Sequence, residues 1–98
     1  MDPEHFTRIA KALADPRRFE LLERIAAEQE VACGCLVEEF SISQPTISHH
    51  LKELLNAGLI EARRESKYGY FRVCPAALAA YMAELQRRIP AAKRRPRI

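Results

Sequence analysis

The sequence predicts a mainly α-helical fold with one small β-hairpin. Three observations predict it. Apolar residues recur with a helical period over most of the chain. A short helical stretch is joined to a longer one by a tight turn, Ser41-Ile42-Ser43. Past Gly58 the period changes to that of two strands around a polar turn.

The first helix starts at Asp2-Pro3, an N-cap followed by a proline at the first helical position. Phe6, Ile9, Ala10 and Leu13 then recur at helical spacing. Asp15-Pro16 repeats the start signal and opens a second helix. There Phe19, Leu22 and Ala26 are expected on one face, flanked by Leu21 and Ile25. Glu28 to Glu30 ends it. Val31-Ala32 reads as a short extended link, a strand of one or two rungs. A short third helix is expected from about Cys33 to Phe40, with Leu36, Val37 and Phe40 apolar. Ser43 caps the fourth helix, whose apolar face is Ile47, Leu51, Leu54 and Leu55. Gly58 stands where a left-handed residue closes a helix. Leu59 to Glu65 and Tyr70 to Cys74 are the expected strands, around a turn at Ser66 to Gly69. Pro75 opens the last helix, with Leu78, Tyr81, Met82, Leu85 and Ile89 on one stripe, and Pro90 stops it. The order is α-α-α-α-β-β-α. A short helix, a turn, a longer helix and then a hairpin is a winged helix-turn-helix.

At 98 residues the chain can build one modest core, of a size that dimerisation often reinforces. Residues 1–90 are expected to form the DNA-binding and dimerisation domain, and 91–98 a basic tail. From Arg87 onward there are six positive charges and no acid, suited to phosphates or simply to solvent. No apolar run is long enough to span a membrane, and no membrane partner is expected. The start, Met1-Asp2-Pro3-Glu4-His5, lacks the basic-then-apolar pattern of a signal peptide, so a cytoplasmic location is expected. No nucleotide-binding, hydrolase or nucleophile-base arrangement is present, and with three glycines there is no phosphate-cradling loop, so no enzyme is expected.

With the apolar stripe of the fourth helix facing the core, Pro45, Thr46, His49, Lys52, Glu53 and Asn56 face outward. Ser43, Gln44 and Ser48 join them at its N-terminal turn. Short hydroxyls, an amide and an imidazole suit base edges, and the N-terminal turn of such a helix is the part that reads them. Ser43, Gln44, Thr46, Ser48, His49 and Lys52 are therefore candidate DNA contacts. Arg63, Arg64 and Lys67 on the hairpin suit phosphates or a minor groove. Taken alone, either group could be an ordinary solvated surface. His50, at the edge of the stripe, reads as a partly buried structural histidine. Two other uses of this architecture remain: a protein-contact module without DNA, and nonspecific nucleic-acid compaction through the tail.

These segments resemble the ArsR/SmtB family of bacterial repressors. The string Ser43-Gln-Pro-Thr-Ile-Ser-His-His-Leu-Lys-Glu-Leu, followed by Ala57-Gly-Leu-Ile, Arg63-Arg-Glu and Tyr70-Phe-Arg-Val, carries the resemblance. Ala12-Leu-Ala-Asp-Pro-Arg-Arg-Phe-Glu-Leu-Leu matches the start of the family's second helix. The similarity spans roughly residues 6 to 75. It implies a homodimer on double-stranded, two-fold symmetric operator DNA, released by an inducer, with no cofactor required for DNA binding. It also implies that the first and last helices pair across the dimer. The stripes of Phe6, Ile9 and Leu13 and of Leu78, Tyr81, Met82 and Leu85 need a partner surface on their own account. Many relatives carry glycine at the wing tip where this chain has Ser66, which leaves the exact tip open.

The family's zinc-type site uses Asp and His on the C-terminal helix; here residues 76 to 89 hold neither, nor Cys, and Glu84 is their only acid. Its arsenic-type site is a Cys-x-Cys-x-x-Cys string at the start of the third helix. Cys33-Gly-Cys35 falls there, with Glu38 at the third position. Trivalent arsenic or antimony, As(III) or Sb(III), is thus a candidate inducer at Cys33 and Cys35. Cys74 is a candidate third ligand, brought near if Val31-Ala32 pairs with the returning wing strand. A helix N-terminus would lower the thiol pKa. On a regular helix, residues i and i+2 lie about 200° apart, so gripping one ion would distort the helix start, a plausible switch. The same cysteines could serve thiol redox or reactive-sulfur sensing, or only pack.

Overall fold

A computed structural model describes residues 1–90; the basic stretch 91–98 and its expected role lie outside the described residues. Helix α1 (Pro3–Ala14) begins with the Asp2 carboxylate accepting from Glu4 N–H at 3.2 Å. The Asp15 carboxylate starts α2 (Pro16–Ala26) in the same way, accepting from Arg18 N–H at 3.0 Å. That backbone hydrogen bond holds the Asp15 carboxyl below its ordinary pKa. Strand β1 (Val31–Ala32) follows, then α3 (Cys33–Phe40), α4 (Gln44–Asn56), β2 (Ile60–Glu65), β3 (Tyr68–Val73) and α5 (Pro75–Arg88).

The sheet runs β1-β3-β2, with both pairs antiparallel. Val31 pairs with Phe71 and Ala32 with Tyr70, so the expected short link is a two-rung edge strand. One core holds the elements together. Ile9, Leu21, Ile25, Leu36, Ile47, Leu54 and Leu59 are its largest fully buried side chains.

Four expectations are corrected. The buried face of α2 is Leu21, Leu22 and Ile25; Phe19 is 44% exposed and Ala26 is exposed too. The helix contacts α1, α4 and β3, and the i, i+1, i+4 ridge meets all of them. The hairpin turn is only Ser66-Lys67, because Tyr68 already pairs with Glu65. Ser66 takes the left-handed conformation itself, at φ 57°, which leaves Gly69 inside the strand opposite Arg64. Ile9 is no dimer-interface residue: it is wholly buried in its own protomer's core. Cys74 does not approach Cys33, for a reason of register given below.

Candidate nucleic-acid interface

Helix α4 is set by its two ends. At the first turn, Ser43 Oγ accepts from Thr46 N–H at 3.4 Å and lies 2.8 Å from Thr46 Oγ1. At the other end Gly58, at φ 75°, closes the helix. There His5 Nε2 of α1 donates to Ala57 O at 2.7 Å, satisfying a carbonyl the helix cannot. Between the ends, Ile47, Leu51 and Leu54 are buried, as the periodicity requires. Ser43, Gln44, Thr46, Ser48, His49 and Lys52 all lie exposed on the opposite side. The first turn's N–H groups therefore face solvent together with a cluster of short polar side chains, an arrangement that suits phosphate and base edges. His50 is half-buried, and its Nδ1 is enclosed without a hydrogen-bond partner.

The wing cations divide by face. Side chains alternate along β2, so Ile60, Ala62 and Arg64 share one face and Glu61, Arg63 and Glu65 the other. Ile60 is buried against the helices, which puts Arg64 on the helix side of the wing. Among the described residues Arg64 has no acid partner, and neither has Lys67 or Lys52. Arg63 differs: it donates from Nε and Nη2 to the two Glu30 carboxylate oxygens, at 2.6 and 2.7 Å. Its guanidinium also lies over the Tyr70 ring, 4.6 Å from the centroid. This pair holds the Glu30 carboxyl below its ordinary pKa.

The cysteines sit at the start of α3. Cys33 is half-buried against the core, and Cys35 is exposed. Burial pushes the Cys33 thiol up, opposite to the lowering expected from a helix N-terminus. The start of α3 is weak, since Ala32 supplies no side-chain cap and an added Cβ at Gly34 would meet nothing within 4 Å. The other end of α3 is fastened: Arg24 of α2 donates to both Glu39 carboxylate oxygens, at 2.6 and 2.9 Å. Register removes Cys74 from this group. Cys33 follows the Ala32–Tyr70 rung, whereas Cys74 lies four residues beyond Tyr70 in the other direction, bonded through its N–H to Leu59 O. The two cysteines are thus roughly 15 Å apart along the sheet. Burial first, and Glu61 next, raise the Cys74 thiol pKa. Among the described residues, no three His, Cys, Asp or Glu side chains gather as a metal site.

On α5 the apolar stripe is partly used within the protomer. Tyr81 stacks on Phe6 with centroids 4.9 Å apart, and Leu13, Leu78 and Tyr81 pack against the core. Met82, Leu85 and Ile89 stay exposed.

The model of bacterial regulatory proteins of the arsR family matches residues 15–62. An arsenical resistance operon repressor of Staphylococcus aureus is 33% identical over 74% of this chain and 69% of its own length. The chain belongs to the ArsR family. An uncharacterized HTH-type transcriptional regulator of Methanocaldococcus jannaschii is 38% identical over 71% of the chain and 79% of that protein. A homodimeric winged helix-turn-helix DNA-binding domain from Mycobacterium bovis, a possible ArsR-family regulator, superposes with a TM-score of 0.71 at 27% identity. The alignment covers 97% of this chain and 87% of that one. Membership makes the protein a DNA-binding transcriptional regulator of the repressor type, not an enzyme. No described helix is long and apolar enough to cross a membrane.

Sequence reasoning missed His5, Glu30 and Tyr70. Their partners lie 33 or more residues away for His5 and Glu30, and no local spacing signals such a pair.

Proposed function

We propose that this ArsR-family protein is a homodimeric repressor that releases its operator when trivalent arsenic or antimony binds Cys33 and Cys35. Each protomer reads a half-site of a two-fold symmetric operator with Ser43, Gln44, Thr46, Ser48, His49 and Lys52, while Arg64 and Lys67 of the wing hold the backbone. Met82 and Leu85 of α5, with Leu78, Tyr81, Phe6 and Leu13 behind them, meet the partner protomer. The protein is expected to act in the cytoplasm, where thiols stay reduced.

The observation that carries the inducer reading is the state of the α3 start. Two thiols flank a glycine on a turn with no cap, one pressed to the core and one in solvent. They cannot converge on one ion while that turn is helical. Drawing them together unwinds the turn, and α3 packs directly on α4. The sulfurs must lose their protons to bind. The raised Cys33 pKa therefore makes capture stronger as pH rises.

The test is release of a labelled duplex, selected by the protein from a randomised pool, on titration with arsenite and separately with an oxidant. Wild-type protein is expected to release with arsenite, and Cys33→Ser to stay bound. Release of the mutant by arsenite would sink the reading; release by the oxidant alone would favour thiol redox sensing. The Staphylococcus aureus relative is an arsenical resistance operon repressor, which supports the choice of arsenite.

A further inference from the structure

We infer that Arg63 is a positioning residue of the wing and not a DNA contact, and that Glu30 is its required partner. The inference rests on the operator-binding reading above.

The geometry separates Arg63 from its neighbour Arg64. Two of its donors are taken by the Glu30 carboxylate at 2.6 and 2.7 Å, and Nη1 lies 3.6 Å from Glu65. Its flat face rests on Tyr70. A guanidinium between two carboxylates carries no net positive charge to a phosphate; the local sum is negative. It also points from the face of β2 that turns away from the helices. Arg64 has the opposite properties on both counts.

The position of the pair gives it a task. The backbone ladder joins β1 to β3 and β3 to β2, but nothing in it joins β1 to β2. Arg63 lies opposite Tyr70, which lies opposite Ala32. Glu30 precedes β1 by one residue, so the Arg63 side chain reaches diagonally across the middle strand to it. This is a strap over the full width of the sheet. The base of the hairpin is held by Ile60, Phe71 and Val73 against the core and by the two rungs of β1; the outer part, from Arg64 to Gly69, can otherwise twist about that base. Planar, bidentate pairing and stacking fix an angle as well as a distance. The strap therefore sets where Arg64 and Lys67 stand relative to α4. It also begins three residues before Cys33, so the segment that carries the thiols is tied to the wing.

Glu30→Gln discriminates, because the two accounts predict opposite signs. If Arg63 contacted phosphate, removing its acid would free it and tighten binding. If the strap positions the wing, Glu30→Gln weakens binding. The probe is the selected duplex, and the readouts are affinity, its salt dependence and the melting temperature. Glu30→Gln and Arg63→Gln are each expected to weaken binding about tenfold, and the double variant no further, as for two ends of one interaction. The slope of log affinity on log salt is expected to stay as in wild type for Arg63→Gln; loss of a phosphate contact would lower it by about one. The swapped variant Glu30→Arg/Arg63→Glu is expected to recover most of the affinity. Tighter binding by Glu30→Gln, a reduced slope for Arg63→Gln, or a lowered melting temperature with unchanged affinity of the folded fraction would each overturn the inference. Failure of the wild type to select any duplex would overturn the operator reading itself, and this one with it.

Discussion

Glu84 is the only acid of α5, and at 7% exposure it is the one buried charged residue among those described. Arg87 donates to its carboxylate at 3.0 and 2.7 Å and Arg88 at 2.9 Å. The Arg88 guanidinium also lies 4.2 Å from the Phe6 ring centroid, which draws α1 into the same cluster. The Arg87 and Arg88 hydrogen bonds hold the Glu84 carboxyl down to about 2, from an ordinary value of 4.5. A depressed carboxylate contributes stability that is present above its ordinary pKa and lost as pH falls through the depressed one. Glu84→Gln is therefore expected to melt below wild type near neutral pH, and the gap to close between about pH 4.5 and 2. Thermal melts of both proteins over that range check it; a gap independent of pH would mean that the charge plays no part. In the sequence Glu84 reads only as the lone acid of a helix lacking a zinc-type ligand set. Its pairing needs the two arginines that donate to it, one of them resting on Phe6 of α1.

At the scale of elements, the hairpin shows how local chemistry and tertiary demand conflict. Ser66 holds φ 57° with a side chain that disfavours it. The left-handed conformation costs a non-glycine residue about 1 to 2 kcal/mol. Glycine adopts it freely but loses more backbone freedom on folding. Ser66→Gly is accordingly expected to stabilise the protein by about 0.5–1 kcal/mol, read from denaturant midpoints. Equal or lower stability would show that the serine is unstrained. The helices were legible for the converse reason. Asp2-Pro3, Asp15-Pro16 and Ser43 satisfy orphan N–H groups within three residues, so their effect is written locally. The buried face of α2 was not, since the choice between Leu21 and Phe19 depends on where α1, α4 and β3 lie.

For the whole molecule, Met82 is 55% and Leu85 39% exposed on α5, Ile89 just past its end is 62% exposed, and nothing among the described residues covers them. Exposed apolar patches of this kind mark contact surfaces. Met82→Asp is expected to yield a monomer in sedimentation equilibrium with an unchanged circular dichroism spectrum. Operator affinity is expected to fall more than about tenfold, because the second half-site no longer gains from the first. A variant that stays dimeric would place the interface elsewhere. The cysteine pair belongs to this scale too. In the proposed switch Cys33 and Cys35 would act on α4 through α3, which is fastened by Arg24 at its far end and packs on α4.

By itself the sequence determined the order of helices and strands, the outward-facing residues of α4, and membership of the ArsR family. Those depend on caps, periods and contiguous strings, all read within a few residues. Only the tertiary structure decided that Ile9 is core, that Cys74 stands apart from Cys33, and that Arg63 answers to Glu30 while Arg64 has no acid partner among the described residues. The first is settled by how α1 packs on α2, α4 and α5, the other two by which strand lies beside which and in what register. A shift of one residue turns a side chain to the other face, and nothing local in the chain records that choice.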